Sequence, residues 1–395
     1  MSLDQLNFAD RFNGVSGSAI REIFKLLAQP GMISFAGGNP AMSALPDETV
    51  SRLAIEALAE NGKAILQYGA TEGYPPLLGS LPPYLSEQLG IPVTRNQILP
   101  TTGSTQAMDL LCKALINPGD VILVEDPTFL GNMQCMRLYQ AKLIPVPSDE
   151  NGILLDKLEE AVIAHHPKML YIIPTFQNPS GRTLALDRRK PIAEMAAKYG
   201  FIVAEDDPYR DLRYAGAPQP AIKSFDTTGH VVFMGSFSKI ISPGLRVGCL
   251  VADPLILRKC TIGKQSTDVH SANLNQAIVD KFLRQQLLPD HIRTICQSYA
   301  SQMNAMLEEL ASFPQGTSYT RPEGGLFIWV TLPEGIDAAA MLNRCVEKGV
   351  AYVPGTHFFA DGGHLNTLRL NFSMCDVDTI RRGMKILKSV IEETI

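Results

Sequence analysis

Four short apolar runs set the architecture of this chain: Val121-Ile-Leu-Val124, Met169-Leu-Tyr-Ile-Ile173, Phe201-Ile-Val-Ala204 and Val231-Val-Phe-Met234. Each is continuous rather than alternating and lies among Gly, Pro and Asp, as expected of strands buried on both faces. The stretches Thr105 to Ile116, Leu155 to Ala164 and Leu186 to Tyr199 have apolar residues spaced nearer three and four, which predicts helices. Strand and helix in alternation predict an α/β fold with a mainly parallel sheet covered by helices. After about residue 285 the pattern becomes a long helical segment, short strands near Gly325 to Thr331 and Leu368 to Asn371, and a closing helix from Asp376. That change of texture predicts a second, smaller α+β domain, dividing the chain into a large domain over 46–285 and a small one over 286–395. Ser18 caps a predicted first helix with Ile20, Ile23, Phe24 and Leu27 on one face. The proline-containing stretches at 75–83 and 214–220 read as loops.

With 395 residues, 45% hydrophobic and 19% charged, the chain can bury two real cores. A formal net charge of −5 without basic runs gives no reason to expect nucleic acid or an anionic membrane as partner, so a small-molecule substrate is expected. Seven cysteines, scattered without a C-x-x-C pair or a metal-ligand spacing, read as reduced thiols, and no metal is expected. The first residues lack a signal-peptide core, and cytoplasmic residence is the expectation.

In a mainly parallel sheet, ligands collect at the carboxyl ends of strands. Three polar segments fall there: Pro174 to Gly181, Glu205-Asp-Asp-Pro-Tyr209, and the turn Ser236-Phe-Ser-Lys-Ile-Ile-Ser-Pro-Gly-Leu-Arg246. In the last, the Lys239 amine can condense with a carbonyl, Ser236 and Ser238 offer hydroxyls, and Arg246 can grip a phosphate. Thr102-Gly-Ser-Thr-Gln106 opens a predicted helix, whose N-terminal amides suit a phosphate, with Ser104 and Thr105 adding donors. The acidic run leaves a choice among Glu205, Asp206 and Asp207.

These motifs, with Ile33-Ser-Phe-Ala-Gly-Gly38, Gln67-Tyr-Gly69, Gly324-Gly-Leu-Phe-Ile-Trp329 and Leu368-Arg-Leu-Asn-Phe-Ser373, resemble the fold type I aminotransferases of class I and II that use pyridoxal 5′-phosphate. The resemblance spans about Ser18 to Ser373, and the wording is most like the group containing 2-aminoadipate and kynurenine aminotransferases. It implies that Lys239 forms the imine with the cofactor and later moves the substrate proton. It implies that Asp206, chosen because Tyr209 follows three residues on, holds the pyridine nitrogen. Tyr209 and Asn178 would bond the phenolic oxygen, Phe129 would stack on the ring, and Ser104, Thr105, Ser236, Ser238 and Arg246 would hold the phosphate. Arg369, with Gly38 and Asn178, would take the substrate carboxylate. Tyr68 would reach the partner subunit's cofactor phosphate, making a homodimer with shared sites, and the segment 1–45 would pack with the small domain. Arg21 would lie over the substrate side chain, where it could meet a distal carboxylate, and Asn39 stands where relatives often carry leucine.

The activity so implied is ping-pong transfer of an amino group from an L-amino acid (aromatic, aminoadipate-like or broad-range) to a 2-oxo acid such as 2-oxoglutarate. A β-lyase, cleaving C–S or related bonds, is the alternative on the same fold. Aminotransferase-like domains also occur in DNA-binding regulators, but here the pattern begins by residue 18, and such a role is not expected.

Overall fold

The computed structural model describes residues 7–13, 15 and 31–395. The helix expected from Ser18 and the side chain of Arg21 lie outside the described residues. A 3-10 turn at Asp10–Phe12 comes first among the described residues, and a short strand, β1 (Ile33–Ser34), follows. Eight strands then form the main sheet: β2 (Ile98–Thr101), β3 (Val121–Asp126), β4 (Lys142–Asp149), β5 (Gly152–Ile153), β6 (Met169–Ile172), β7 (Ile202–Asp206), β8 (Val231–Ser236) and β9 (Gly248–Val251). Their spatial order is β2-β9-β8-β7-β6-β3-β4-β5. The pairs from β8 through β7, β6 and β3 to β4 are parallel. Every residue of β6 is buried, as its unbroken apolar run requires.

β9 runs against both β8 and β2. Two reversals leave β2 pointing the same way as β8, so Thr101, Asp206 and Ser236 all end their strands at one edge of the sheet. Gly248 is paired with both Thr101 and Ser236. A Cβ there would come within 3.0 Å of Ser104 N and 2.8 Å of Gly235 O, so the close approach of the two loops requires glycine.

Helices cover the sheet close to where the pattern places them: Ser104–Leu115, Leu155–His165 and Leu186–Tyr199. The expected loop at 75–83 is instead largely helix, Leu77–Leu89, with Pro82 and Pro83 inside it. Leu77, Leu81, Leu85 and Leu89, spaced by four, are buried together, and the helix packs on Asn273–Arg284. Burial of that stripe outweighs the two amide bonds the prolines cannot make. Residues 214–220 are irregular, as expected.

The last third contains the helix Leu288–Leu310, the strands β10 (Ser318–Tyr319), β11 (Phe327–Thr331), β12 (Val350–Ala351), β13 (Val353–Pro354) and β14 (Thr367–Asn371), and the helix Val377–Glu392. Four of these strands form an antiparallel sheet, β10-β11-β14-β13, while β12 pairs in parallel with β1. Asp376 caps the closing helix by accepting from Thr379 N at 2.7 Å, a contact worth about 1 kcal/mol. Ile380, Met384, Leu387 and Ile391 line its buried face. From β1 the chain runs on against this region: Phe35 N donates to Ala351 O, and Asn371 N donates to Phe35 O, each at 2.8 Å. The segment Ala36 to Asn39 is thereby brought beside β14, which carries Arg369.

Candidate active site

A cavity of about 300 Å³ opens at the strand ends, between the main sheet and β14. Lys239 stands in its wall, one turn past β8, and donates from Nζ to Gly38 O at 2.6 Å. Burial lowers the lysine pKa to about 8, with the positive charges of Arg369 and Arg246 acting in the same direction.

β7 separates the three members of the acidic run. Side chains alternate along a strand, so Glu205 and Asp207 leave on the face opposite Asp206. Glu205 accepts from Ile222 N and Lys223 N, each at 2.8 Å, and Asp207 lies 3.4 Å from Arg210. Only Asp206 lines the cavity. Its Oδ2 accepts from Tyr171 Oη at 2.8 Å and from Asn132 Nδ2 at 3.1 Å, while Oδ1 is buried without a partner. Burial pushes the carboxyl up to about 7, opposed by the Tyr171 and Asn132 hydrogen bonds. Neither of those two residues was a candidate in the sequence. The signal for Tyr171 is a phenol inside a wholly buried strand, where its hydroxyl must find a partner.

Arg369 is 1% exposed and has no carboxylate within 4 Å among the described residues, so it is not held by a structural ion pair. It donates to Asn178 Oδ1 at 2.7 Å and Ala36 O at 2.6 Å, and its Nε has no partner. The guanidinium carbon lies 4.2 Å from the Phe327 ring centre and 5.0 Å from that of Phe358, stacked contacts that hold a cation in a dry site. A buried arginine so placed is a ready two-point receptor for a carboxylate.

Across the cavity, Ser104 and Thr105 begin their helix after Gly103, whose φ is +77°. A Cβ on Gly103 would sit 2.3 Å from Arg246 Nη2, so glycine is what lets that guanidinium lie against the loop. Arg246 makes only long contacts, each of 3.4 Å, to Ser238 Oγ, Pro243 O and Thr102 O, leaving its donors available to an anion. Ser236 and Ser238 also line the cavity, as do Phe129, Asn178 and Tyr209. Phe129 folds over Gly131, where any side chain would collide with the ring. Tyr209 is buried edge-on to Phe327, and burial raises its pKa.

Gly38 and Asn39 complete the wall. Tyr68 does not reach the cavity within one chain. It is 82% exposed, with its ring 6.1 Å from that of His270.

The description of the class I and II aminotransferases matches residues 30–387. The chain belongs to this family. An aromatic-amino-acid aminotransferase of Thermococcus litoralis is 42% identical over 392 residues, covering 98% of this chain and 94% of the relative. A 2-aminoadipate transaminase of Thermus thermophilus is 40% identical over 377 residues, covering 94% and 93%. The crystal structure of a Pyrococcus horikoshii kynurenine aminotransferase, in complex with PMP, is similar at a TM-score of 0.94 and 41% identity, covering 98% of this chain and 97% of that one. The aminotransferase therefore has the fold type I architecture and moves amino groups between amino acids and 2-oxo acids with pyridoxal phosphate.

The cavity suits that cofactor by its own chemistry. It offers an amine of lowered pKa, a carboxylate oxygen lacking a donor, and a glycine-lined anion cradle faced by an arginine. No helix among the described residues is long and apolar enough to cross a membrane.

Proposed function

We propose that this enzyme works as a homodimer on aromatic or aminoadipate-like donors, with 2-oxoglutarate as acceptor, and that the cavity residues divide the work as follows. The supporting observation is the convergence on one cavity of Lys239, the bare Oδ1 of Asp206 and the buried guanidinium of Arg369, whose Nε has no partner. Bound pyridoxal phosphate supplies an aldehyde that takes up amines and a ring that withdraws electrons from the substrate α carbon. Lys239 Nζ is the nucleophile toward that aldehyde and, when free, the base that takes the proton from the α carbon. Asp206 Oδ1 holds a proton on the pyridine nitrogen. Tyr209 and Asn178 donate to the phenolic oxygen, and Phe129 covers the ring. Ser104, Thr105, Ser236, Ser238 and Arg246 hold the phosphate.

Arg369 fixes the substrate carboxylate, with Gly38 and Asn178 beside it, and so orients the α C–H toward Lys239. Tyr68, exposed in one chain, reaches the cofactor phosphate of the partner subunit, and Arg21 meets a distal carboxylate of the substrate. The seven free cysteines favour the cytoplasm. The donor class rests on the 40–42% identical relatives named for aromatic amino acids and 2-aminoadipate. Initial rates with 2-oxoglutarate and a panel of donors test it: kcat/KM should be highest for phenylalanine, tyrosine, kynurenine or 2-aminoadipate. A maximum for alanine or aspartate would overturn the donor assignment.

The lysine has a pH signature. Only the neutral amine attacks an aldehyde, and lowering its pKa to about 8 moves deprotonation down in pH. At pH 8 about half of this amine is neutral, whereas an ordinary lysine, near 10.4, is almost wholly charged. Uptake of pyridoxal phosphate by the apoprotein should therefore accelerate with pH and level off by about pH 9. Acceleration that continues past about pH 10 would show an unperturbed lysine.

A further inference from the structure

Behind the loop that carries Ser104 and Thr105 lies an ionic cluster, its lysine fully buried and its carboxylate partly exposed, that does not line the cavity. Lys264, at the end of the helix Pro254–Gln265, is 0% exposed. Its Nζ donates to both oxygens of Asp268 at 2.9 Å, to Gln106 Oε1 at 2.7 Å and to Ser271 Oγ at 3.0 Å. Asp268 Oδ2 also accepts from Thr102 Oγ1 at 2.8 Å and from Gln106 Nε2 at 2.7 Å. Gln106 Oε1 in turn accepts from Thr102 N at 2.8 Å. The turn from Thr102 to Gln106 is thus held at both ends, and between those ends sit Gly103, Ser104 and Thr105.

Burying a lysine completely is expensive, and an apolar residue of similar volume would serve packing alone at least as well. What the pair adds is geometry and charge. It fixes the turn in the conformation that presents helix amides beside Arg246. It also cancels a carboxylate that would otherwise stand directly behind an anion cradle.

We propose that Lys264 is a positioning residue for the cofactor phosphate, acting through Asp268 and the turn 102–106. This rests on the reading of Ser104, Thr105 and Arg246 as the phosphate cradle. In Lys264→Met the carboxylate of Asp268, about three-quarters buried, is left without its counter-charge, and it repels the phosphate dianion. In Lys264→Met/Asp268→Asn both charges are gone and the repulsion with them.

The experiment compares equilibrium binding of pyridoxal phosphate and of pyridoxal, which lacks the phosphate, to the apoenzyme and these variants. The native protein should strongly prefer the phosphorylated form. Lys264→Met should lose about tenfold or more of that preference while binding pyridoxal nearly as before, and the double variant should recover part of it. A native protein without preference would remove the cradle itself. A native preference retained by Lys264→Met would overturn the role of Lys264, and an equal loss for both ligands would mean a general structural role. A double variant no better than the single one would refute charge compensation. Should Lys264→Met not fold, Thr102→Val removes only one hydroxyl from Asp268 and must show the same selective loss in smaller measure; an unchanged preference there would equally overturn the proposal.

Discussion

Lys239→Ala is expected to lower steady-state transamination by about four orders of magnitude or more, because one substitution removes both the nucleophile toward the aldehyde and the base at the α carbon. The loss should lie in kcat. Arg369, Arg246 and Asp206 remain, so pyridoxal phosphate should still bind noncovalently and the amino acid should still find its carboxylate receptor. Alanine at a cavity wall where Lys239 makes a single hydrogen bond, to Gly38 O, should leave the fold intact. Rapid-quench rates on the purified variant, with cofactor content measured in parallel, decide the matter. Activity within about tenfold of native would mean that another group moves the proton and that Lys239 has been misassigned.

Asp206→Asn is expected to have the next largest effect, a fall in kcat on the order of 10²- to 10³-fold with the cofactor still attached to Lys239. The physical reason is the position of Oδ1. Tyr171 and Asn132 occupy Oδ2 and fix the carboxylate plane, so the free oxygen is held in place before any ligand arrives. An amide cannot hold a proton on a ring nitrogen as a carboxylate does, and electron withdrawal from the α carbon weakens accordingly. Because Asp206 is far from the guanidinium of Arg369 in role, the KM for the amino acid should change little. The contrary outcome, native kcat with a raised KM, would make Asp206 a binding residue rather than an electronic one.

Much of this cavity can be read from the chain because its residues follow directly on apolar runs. Asp206, Ser236 and Lys239 lie at or just past strands that the sequence marks by unbroken hydrophobicity, and parallel strands deliver their ends to one edge. Ser104 and Arg369 are readable for a related reason, since each sits in a short phrase shared with the aminotransferases. What cannot be read is whatever depends on contacts between distant segments. Alternation along β7 separates Asp206 from Glu205 and Asp207, but only once the strand is known to extend to residue 206. The antiparallel β9, which returns β2 to the right direction, has no local signature. Pro82 and Pro83 argue locally for a loop, and only the leucine stripe packed on Asn273–Arg284 makes that stretch helical. Asn132 and Tyr171 meet Asp206 from 74 and 35 positions away, and the pair Lys264–Asp268 reaches the turn through Gln106 and Thr102, 158 and 166 positions away, so no motif announces them.

The central claim is that these residues complete the first half of an amino-group exchange. It is tested most directly by the absorption spectrum of the purified, cofactor-loaded enzyme mixed with one amino acid and no oxo acid. The visible band should give way to the near-ultraviolet absorption of pyridoxamine phosphate for aromatic or aminoadipate-like donors and return when 2-oxoglutarate is added. A visible band that persists while an oxo acid and ammonia accumulate would contradict the claim and make the enzyme a lyase.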